Sequence, residues 1–375
     1  MSTRDEPCNT KMVWENQEAP FANGTYYCCP KDSVIGFKKP KNQPYFPACF
    51  DSSDNLGRCV PEAFCENETV HSINALVRGR SWTAPSRCHP DQNLPDWVCC
   101  AMQQHRKFIR HPKAGQLGLS ECGFPSVSYK IAGGVEAGLG SYPWMAYLRY
   151  RIEEMRCAGS LIHPRYVLTA AHCLRQRLGP HVVRLGEYDT GSDPDCSIEN
   201  ECLGNYSEYS VKRHILHPEY SFREYVRTGA FDVGLIELNQ MAEIVRGQVQ
   251  PICLPITHEL LLAMPRRLRV TGWGLTSGGG FAKVLRYADL QIVDSTRYDC
   301  PVAGTICAVG NLKESHCAGD SGGPYQQLMV DHHRYHYVQY GIISGGSNTC
   351  SISGSPGFAV MVGNHMHWIL DHMDI

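Results

Sequence analysis

Cysteine is the residue that most limits what this chain can fold into. Nineteen are spread over 375 residues, and nine of them fall in the first hundred. That density points to an oxidising compartment, where cross-links replace the core that a short segment cannot bury. An ordinary cytosolic enzyme is excluded on the same ground. Lys+Arg 35 against Asp+Glu 37 leave a net charge of −2, so no basic face is implied and nucleic acid is not an expected partner. No apolar run approaches the length of a membrane span. The triplets at Asn23, Asn67 and Asn205 are N-glycosylation acceptors and fit export. The opening stretch, Met1 to Cys8, is polar and holds no apolar segment for a signal peptide. The cysteines outweigh that, and the expectation is a secreted, extracellular protein whose start lies upstream.

The chain divides by texture. Residues 1–48 are polar and turn-rich, with Cys8, Cys28 and Cys29; residues 49–100 hold Cys49, Cys59, Cys65, Cys88, Cys99 and Cys100. About fifty residues bury little, so cross-links must stabilise the second segment. Residues 101–130 have the composition of an exposed linker. From Ile131 onward short β-branched runs alternate with Gly and Pro: Trp144 to Leu148, Ser160 to Ile162, Tyr166 to Thr169, Val182 to Leu185, Val233 to Leu238, Val270 to Trp273, Ala288 to Val293 and Tyr337 to Ser344. Many short strands at turn-punctuated spacing predict an all-β barrel or sandwich. Helical spacing of apolar residues occurs at the end, from Val362 to Met373.

Three segments of this region carry chemistry. They are Leu168-Thr169-Ala170-Ala171-His172-Cys173, Phe231-Asp232-Val233-Gly234 and Gly319-Asp320-Ser321-Gly322-Gly323-Pro324. Hydrolysis of an amide at neutral pH needs a nucleophile, a base to deprotonate it, a group to orient that base, and donors for the oxyanion. Singly, each segment reads as a core histidine, a turn aspartate or a loop; together, in the order His, Asp, Ser, they resemble the trypsin/chymotrypsin family of serine proteases. The resemblance implies two six-stranded antiparallel β-barrels with a C-terminal helix over residues 131–375. It gives Ser321 the attack on the scissile carbonyl, His172 the proton transfer and Asp232 the orientation of the imidazole. The amides of Gly319 and Ser321 would form the oxyanion hole.

Lys130-Ile131-Ala132-Gly133-Gly134, followed by Tyr142-Pro143-Trp144, resembles the family's activation junction. Cleavage after Lys130 would free the α-amino group of Ile131 to pair with Asp320, since a buried amine and carboxylate are each costly alone. The intact chain would then be an inactive precursor. The family's disulfides, carried over, are Cys122–Cys253, Cys157–Cys173, Cys300–Cys307 and Cys317–Cys350. The first would tether the severed N-terminal part.

The spacing of the six cysteines in residues 49–100 resembles the clip domain of arthropod clip-domain serine proteases. That resemblance implies Cys49–Cys99, Cys59–Cys88 and Cys65–Cys100, one of fifteen connectivities that spacing alone allows. Cys28-Cys29 resembles the end of such a domain, so residues 1–48 are read as an extension holding the tail of a truncated first one. The same relatives carry an inserted pair, matched by Cys196–Cys202, beside a calcium-binding loop. Glu187, Asp189, Ser192 and Asp195 supply hard oxygen donors there, and an ordinary acidic surface loop is the competing reading. No cofactor is needed for the chemistry; calcium would be structural.

The substrate pocket departs from the trypsin type. Where those proteases carry an aspartate that binds Arg or Lys, this chain has Ser315. A pocket of Ser315, Gly346 and Gly357 resembles the chymotrypsin type, open to large apolar side chains. His316 beside it is unusual, and either narrows the pocket or adds a titrating donor. Gly345 replaces an aromatic wall and Ala359 a tyrosine. The resemblance implies a zymogen in an extracellular proteolytic cascade of innate immunity, melanisation or developmental signalling. Its partners would be an upstream activating protease, a downstream zymogen or pro-protein, and a serpin inhibitor. The alternative is a clip-domain adaptor that cleaves little, although such adaptors commonly lack the serine retained here.

Overall fold

The computed structural model describes residues 48–50, 56–61, 97–101, 111–117, 121–124, 136–152 and most of 155–375, short loops excepted. The junction at Lys130 and Ile131, with Asn23, Asn67, Cys8, Cys28, Cys29, Ser315 and Cys350, lies outside them.

A three-stranded antiparallel sheet forms in the cysteine-rich segment from β1 (Ala48–Phe50), β2 (Leu56–Pro61) and β3 (Trp97–Ala101), with β2 central. The side chains of these strands, and so the expected clip-domain disulfides, are outside the described set.

The rest is two closed antiparallel barrels of six strands each. The first contains β4 (Met145–Arg149), β5 (Cys157–His163), β6 (Tyr166–Thr169), β7 (Val182–Leu185), β8 (Ser207–Leu216) and β9 (Gly234–Leu238). The second contains β10 (Arg267–Gly272), β11 (Arg286–Ile292), β12 (Thr305–Gly310), β13 (Pro324–Asp331), β14 (Arg334–Gly346) and β15 (Gly357–Met361). Leu161, Leu168, Leu185, Leu235 and Ile236 fill the first interior; Leu268, Leu290, Ile306, Tyr325 and Val338 fill the second. Closure leaves no open sheet edge in either barrel.

Between the barrels the contact is partly polar, through paired side chains. Trp144 Nε1 donates to Gln326 Oε1 at 2.7 Å, and Gln326 Nε2 donates to Thr271 Oγ1 at 3.1 Å. Ser160 Oγ donates to Gln339 Oε1 at 2.5 Å. Buried polar groups paired in this way fix one relative placement, because any slip would strand them without partners.

The chain ends in α1 (Met366–Asp371), which lays Met366, Ile369 and Leu370 on the core of the first barrel. Lys113 and His111, far upstream, bind this end of the chain: Lys113 Nζ donates to the Met373 carbonyl and His111 Nε2 contacts Asp371 at 2.9 Å. The segment around Cys122 docks on the second barrel through the Cys122–Cys253 disulfide and a backbone bond from Tyr337 N–H to Gly123 O of 2.7 Å.

Candidate active site

Two strand ends bring the first pair of site residues together. β6 pairs with β9 in the register Thr169↔Gly234, so the turn that follows β6 and the residues that precede β9 lie side by side. His172 sits in that turn, a short 3₁₀ segment over Ala171–Leu174, and Asp232 stands two residues before β9. Gly234 keeps the turn close: a β-carbon there would sit 2.6 Å from Leu174 Cδ1.

Asp232 is fully buried. Its Oδ1 accepts the His172 backbone N–H at 2.8 Å, and its Oδ2 accepts His172 Nδ1–H at 2.7 Å and the Ser344 hydroxyl at 2.5 Å. An ionised carboxylate only accepts, so this contact fixes the tautomer with the proton on Nδ1 and leaves Nε2 as the basic nitrogen. Three donors satisfy the carboxylate oxygens where water cannot reach them. The family pattern places a serine at Ser344, before Gly345; its bond to Asp232, which no motif announces, is seen in the fold.

Ser321 comes from the other barrel, on the loop before β13. Its carbonyl accepts the Ala158 N–H of β5 at 2.8 Å, which pins the loop against the first barrel. Gly322 follows with φ +81°, and a β-carbon on it would overlap Thr169 Oγ1 and the Ala158 carbonyl. Glycine is therefore required for Ser321 to approach the His172 turn. His172 Nε2 lies 3.6 Å from Cys173 Sγ. His172 and Asp232 are bonded to each other, and Ser321 stands on the neighbouring loop that Ala158 holds.

Gly319 takes φ +99°, where a β-carbon would sit 2.9 Å from the Phe281 ring. Among the described residues no hydrogen bond uses the Gly319 or Ser321 amide. Asp320 between them turns inward. Its Oδ1 accepts Gly274 N–H at 2.7 Å and its Oδ2 accepts Cys317 N–H at 2.9 Å. Burial pushes this carboxyl up from 3.8 to about 6, and the two amides pull it down only in part.

Cysteine pairs brace the site. Cys157–Cys173 sits beside His172, and Cys196–Cys202 and Cys300–Cys307 close loops with sequence separations of 6 and 7. Cys317 is disulfide-bonded as well. The grouping of Cys157, Cys173 and His172 resembles a metal site by proximity. Its sulfurs are joined to each other, so no thiolate is present to bind a metal.

The pocket residues show a departure from the open chymotrypsin-type cavity. Gly346 of β14 and Gly357 of β15 face each other in register. The buried His316 imidazole reaches both: a β-carbon on Gly357 would overlap its Nε2, and one on Gly346 would lie 3.1 Å from its Cε1. Beside Gly345 the missing aromatic wall is replaced by the Phe358 ring, 2.5 Å from where a β-carbon would stand.

In the acidic loop Glu187 and Asp195 are buried, while Ser192 is exposed. Glu187 Oε2 accepts from Arg184 at 2.6 Å, and its Oε1 is buried without a hydrogen-bond partner. Burial pushes the Glu187 carboxyl up, with Asp195 adding to the rise against the pull of Arg184. Asp195 accepts Tyr188 N–H at 2.8 Å and Ser192 Oγ–H at 3.0 Å; Asp189 Oδ1 accepts Gly191 N–H at 2.9 Å. Among the described residues these three acids do not form one tight cluster. A buried carboxylate oxygen lacking a donor, next to a second buried carboxylate, fits a hard cation. Of the four residues expected to hold calcium, Glu187 and Asp195 are the two that are buried.

Comparison with known proteins agrees with this architecture. The Trypsin family profile matches residues 131–369. Serine protease grass of Drosophila melanogaster is 33% identical over 355 residues, spanning 88% of this chain and 92% of that protein. Phenoloxidase-activating enzyme 1 of Spodoptera litura is 34% identical over 320 residues, spanning 77% and 83%. The crystal structure of the Drosophila Grass clip serine protease of the Toll pathway superposes with a TM-score of 0.61 at 29% identity, covering 88% of this chain and 98% of that one. The chain therefore belongs to the trypsin family and, within it, to the arthropod clip-domain serine proteases, and it is a serine endopeptidase.

Proposed function

We propose that this chain is the zymogen of a secreted cascade protease in which Ser321, His172 and Asp232 carry out peptide hydrolysis. The observation that carries the reading is the buried Asp232, bonded through two oxygens to the backbone and ring of His172. With Nδ1–H held by the carboxylate, Nε2 takes the Ser321 proton as Oγ attacks the carbonyl, and the resulting imidazolium is stabilised by Asp232. The Gly319 and Ser321 amides receive the oxyanion. Nε2–H then protonates the leaving amine, and water repeats the sequence on the acyl-enzyme.

Activation follows from Asp320. Cleavage after Lys130 supplies the Ile131 ammonium, whose charge offsets the cost of keeping this carboxylate under cover. Formation of that pair would fix Gly319 and Ser321, its two chain neighbours, in position for catalysis. Calcium bound by Glu187 and Asp195 would supply positive charge to the loop and brace it. Asn205 is exposed and suits a glycan. The relatives' printed roles, phenoloxidase activation and the Toll pathway, support a place in an immune or melanisation cascade. An upstream protease would cut this chain, a zymogen or pro-protein would be its substrate, and a serpin would restrain it.

The test is covalent labelling of Ser321 by a fluorophosphonate before and after cutting at Lys130. Labelling of the cut chain alone is the expected result, and Ser321→Ala should abolish it and lower turnover by about a millionfold. A cut chain that stays unlabelled would favour the adaptor reading.

A further inference from the structure

The primary pocket of a protease of this kind is a slot between the segment before the nucleophile and the two strands opposite it. In this chain the segment contributes His316, and the strands contribute the facing pair Gly346 and Gly357. Glycines in such a wall ordinarily leave room for a substrate side chain. Here the room is taken from within. The imidazole takes the space that a side chain on either glycine would need: a β-carbon on Gly357 would overlap Nε2, and one on Gly346 would lie 3.1 Å from Cε1. Its position is held from the other side by Tyr325, whose ring meets it edge-on with centroids 5.6 Å apart. Tyr325 is completely buried on β13, with its Cβ 3.1 Å from where a β-carbon on Gly341 would stand and Ala359 Cβ 3.0 Å from that same point. The small Ala359 thus stands beside the large Tyr325, and the ring of Tyr325 backs the histidine.

We propose that His316 is the specificity-determining residue of this protease, a built-in plug that shortens the primary pocket and restricts cleavage to bonds following a small uncharged side chain such as Ala, Ser or Gly. The proposal rests on the hydrolytic reading given above and refines its substrate class. A large apolar side chain would have to displace a ring packed on three sides. A Lys or Arg would meet the same obstruction and, with serine at 315, no aspartate in the position that trypsin-like proteases use. An acidic side chain gains nothing either: burial lowers the His316 imidazole to about 4, so it is neutral at physiological pH.

The test uses the full chain cut after Lys130 and a peptide series that differs only at the residue before the scissile bond: Ala, Ser, Val, Phe, Lys and Glu. Diisopropyl fluorophosphate, which places no side chain in the pocket, reports Ser321 reactivity separately. The expected profile favours Ala and Ser over Phe and Lys by about a hundredfold in kcat/KM, the scale on which a pocket separates side chains by size. His316→Ser should raise kcat/KM for the Phe peptide relative to the Ala peptide by about a hundredfold. His316→Ala gives the same answer should the serine variant fold poorly, with fluorophosphate labelling showing which variants are folded. Wild-type preference for Phe, Lys or Glu, or an unchanged profile in a labelled His316 variant, would overturn the proposal while the hydrolytic reading stood. Absence of label on the cut wild-type chain would overturn both.

Discussion

Asp320 offers the sharpest test of the activation chemistry. In the intact chain its carboxyl is raised from 3.8 to about 6 by burial, with only two backbone amides to compensate. A carboxyl raised on folding binds its proton more tightly in the folded state. The folded chain then holds more protons than the unfolded one between about pH 4 and 6, and stability falls as pH rises through that window. At about 1.4 kcal/mol for each pH unit the full cost is about 3 kcal/mol; Asp320 retains some exposure, and solvent screening trims this to about 1–3 kcal/mol. The assay is chemical denaturation from pH 4 to 7.5 of the uncut chain carrying Ser321→Ala, beside the same chain with Asp320→Asn. The buried His316 and His365, both lowered to about 4 by burial, contribute an opposite slope, but they are common to both proteins and cancel in the difference. Relative to the Asn variant, the Asp chain should lose about 1–3 kcal/mol between pH 4 and 7. After cutting at Lys130 the Ile131 ammonium should remove that loss. Parallel pH curves for the two uncut proteins, or an unchanged slope after cutting, would refute the account.

Further outcomes follow from the same geometry. Ser344→Ala removes one of three donors to the buried Asp232; a bond to a charged group is worth about 1.5–3 kcal/mol, so kcat should fall by about 10- to 100-fold with KM nearly unchanged in steady-state kinetics. Lys130→Gln should leave an uncut, unlabelled chain under its natural activator, and normal activation would place the junction elsewhere. Calcium should raise the thermal midpoint of the wild type, measured by scanning calorimetry, and Glu187→Gln should abolish that rise. Gly322→Ala should abolish Ser321 labelling while far-ultraviolet circular dichroism stays native, because its methyl would overlap Thr169 Oγ1.

Much of the barrel architecture is legible in the chain because buried strands announce themselves through apolar, β-branched residues. Tyr166–Thr169 and Gly234–Leu238 are buried throughout, and both stand out as strands in the sequence. β8 does not: Ser207–Leu216 is largely polar and lies half-exposed on the barrel surface, so no alternation marks it. The catalytic motifs are readable for a chemical reason, since a histidine, an aspartate and a Gly-Asp-Ser-Gly-Gly turn in that order have few other uses. The short Cys300–Cys307 link was likewise legible by family pairing, and it is present.

What the sequence determines by itself is the inventory: which nucleophile, base and carboxylate exist, in which order, and that the pocket lacks the aspartate of trypsin-like proteases. Tertiary structure alone decides distances between segments that are remote in the chain. Ser344 reaches Asp232 across 112 residues, and the His316 ring lies against Gly357 on a strand of its own barrel. Residue types cannot say whether a histidine lines a cavity or fills it; that is settled by close packing, which allots each volume to one group only.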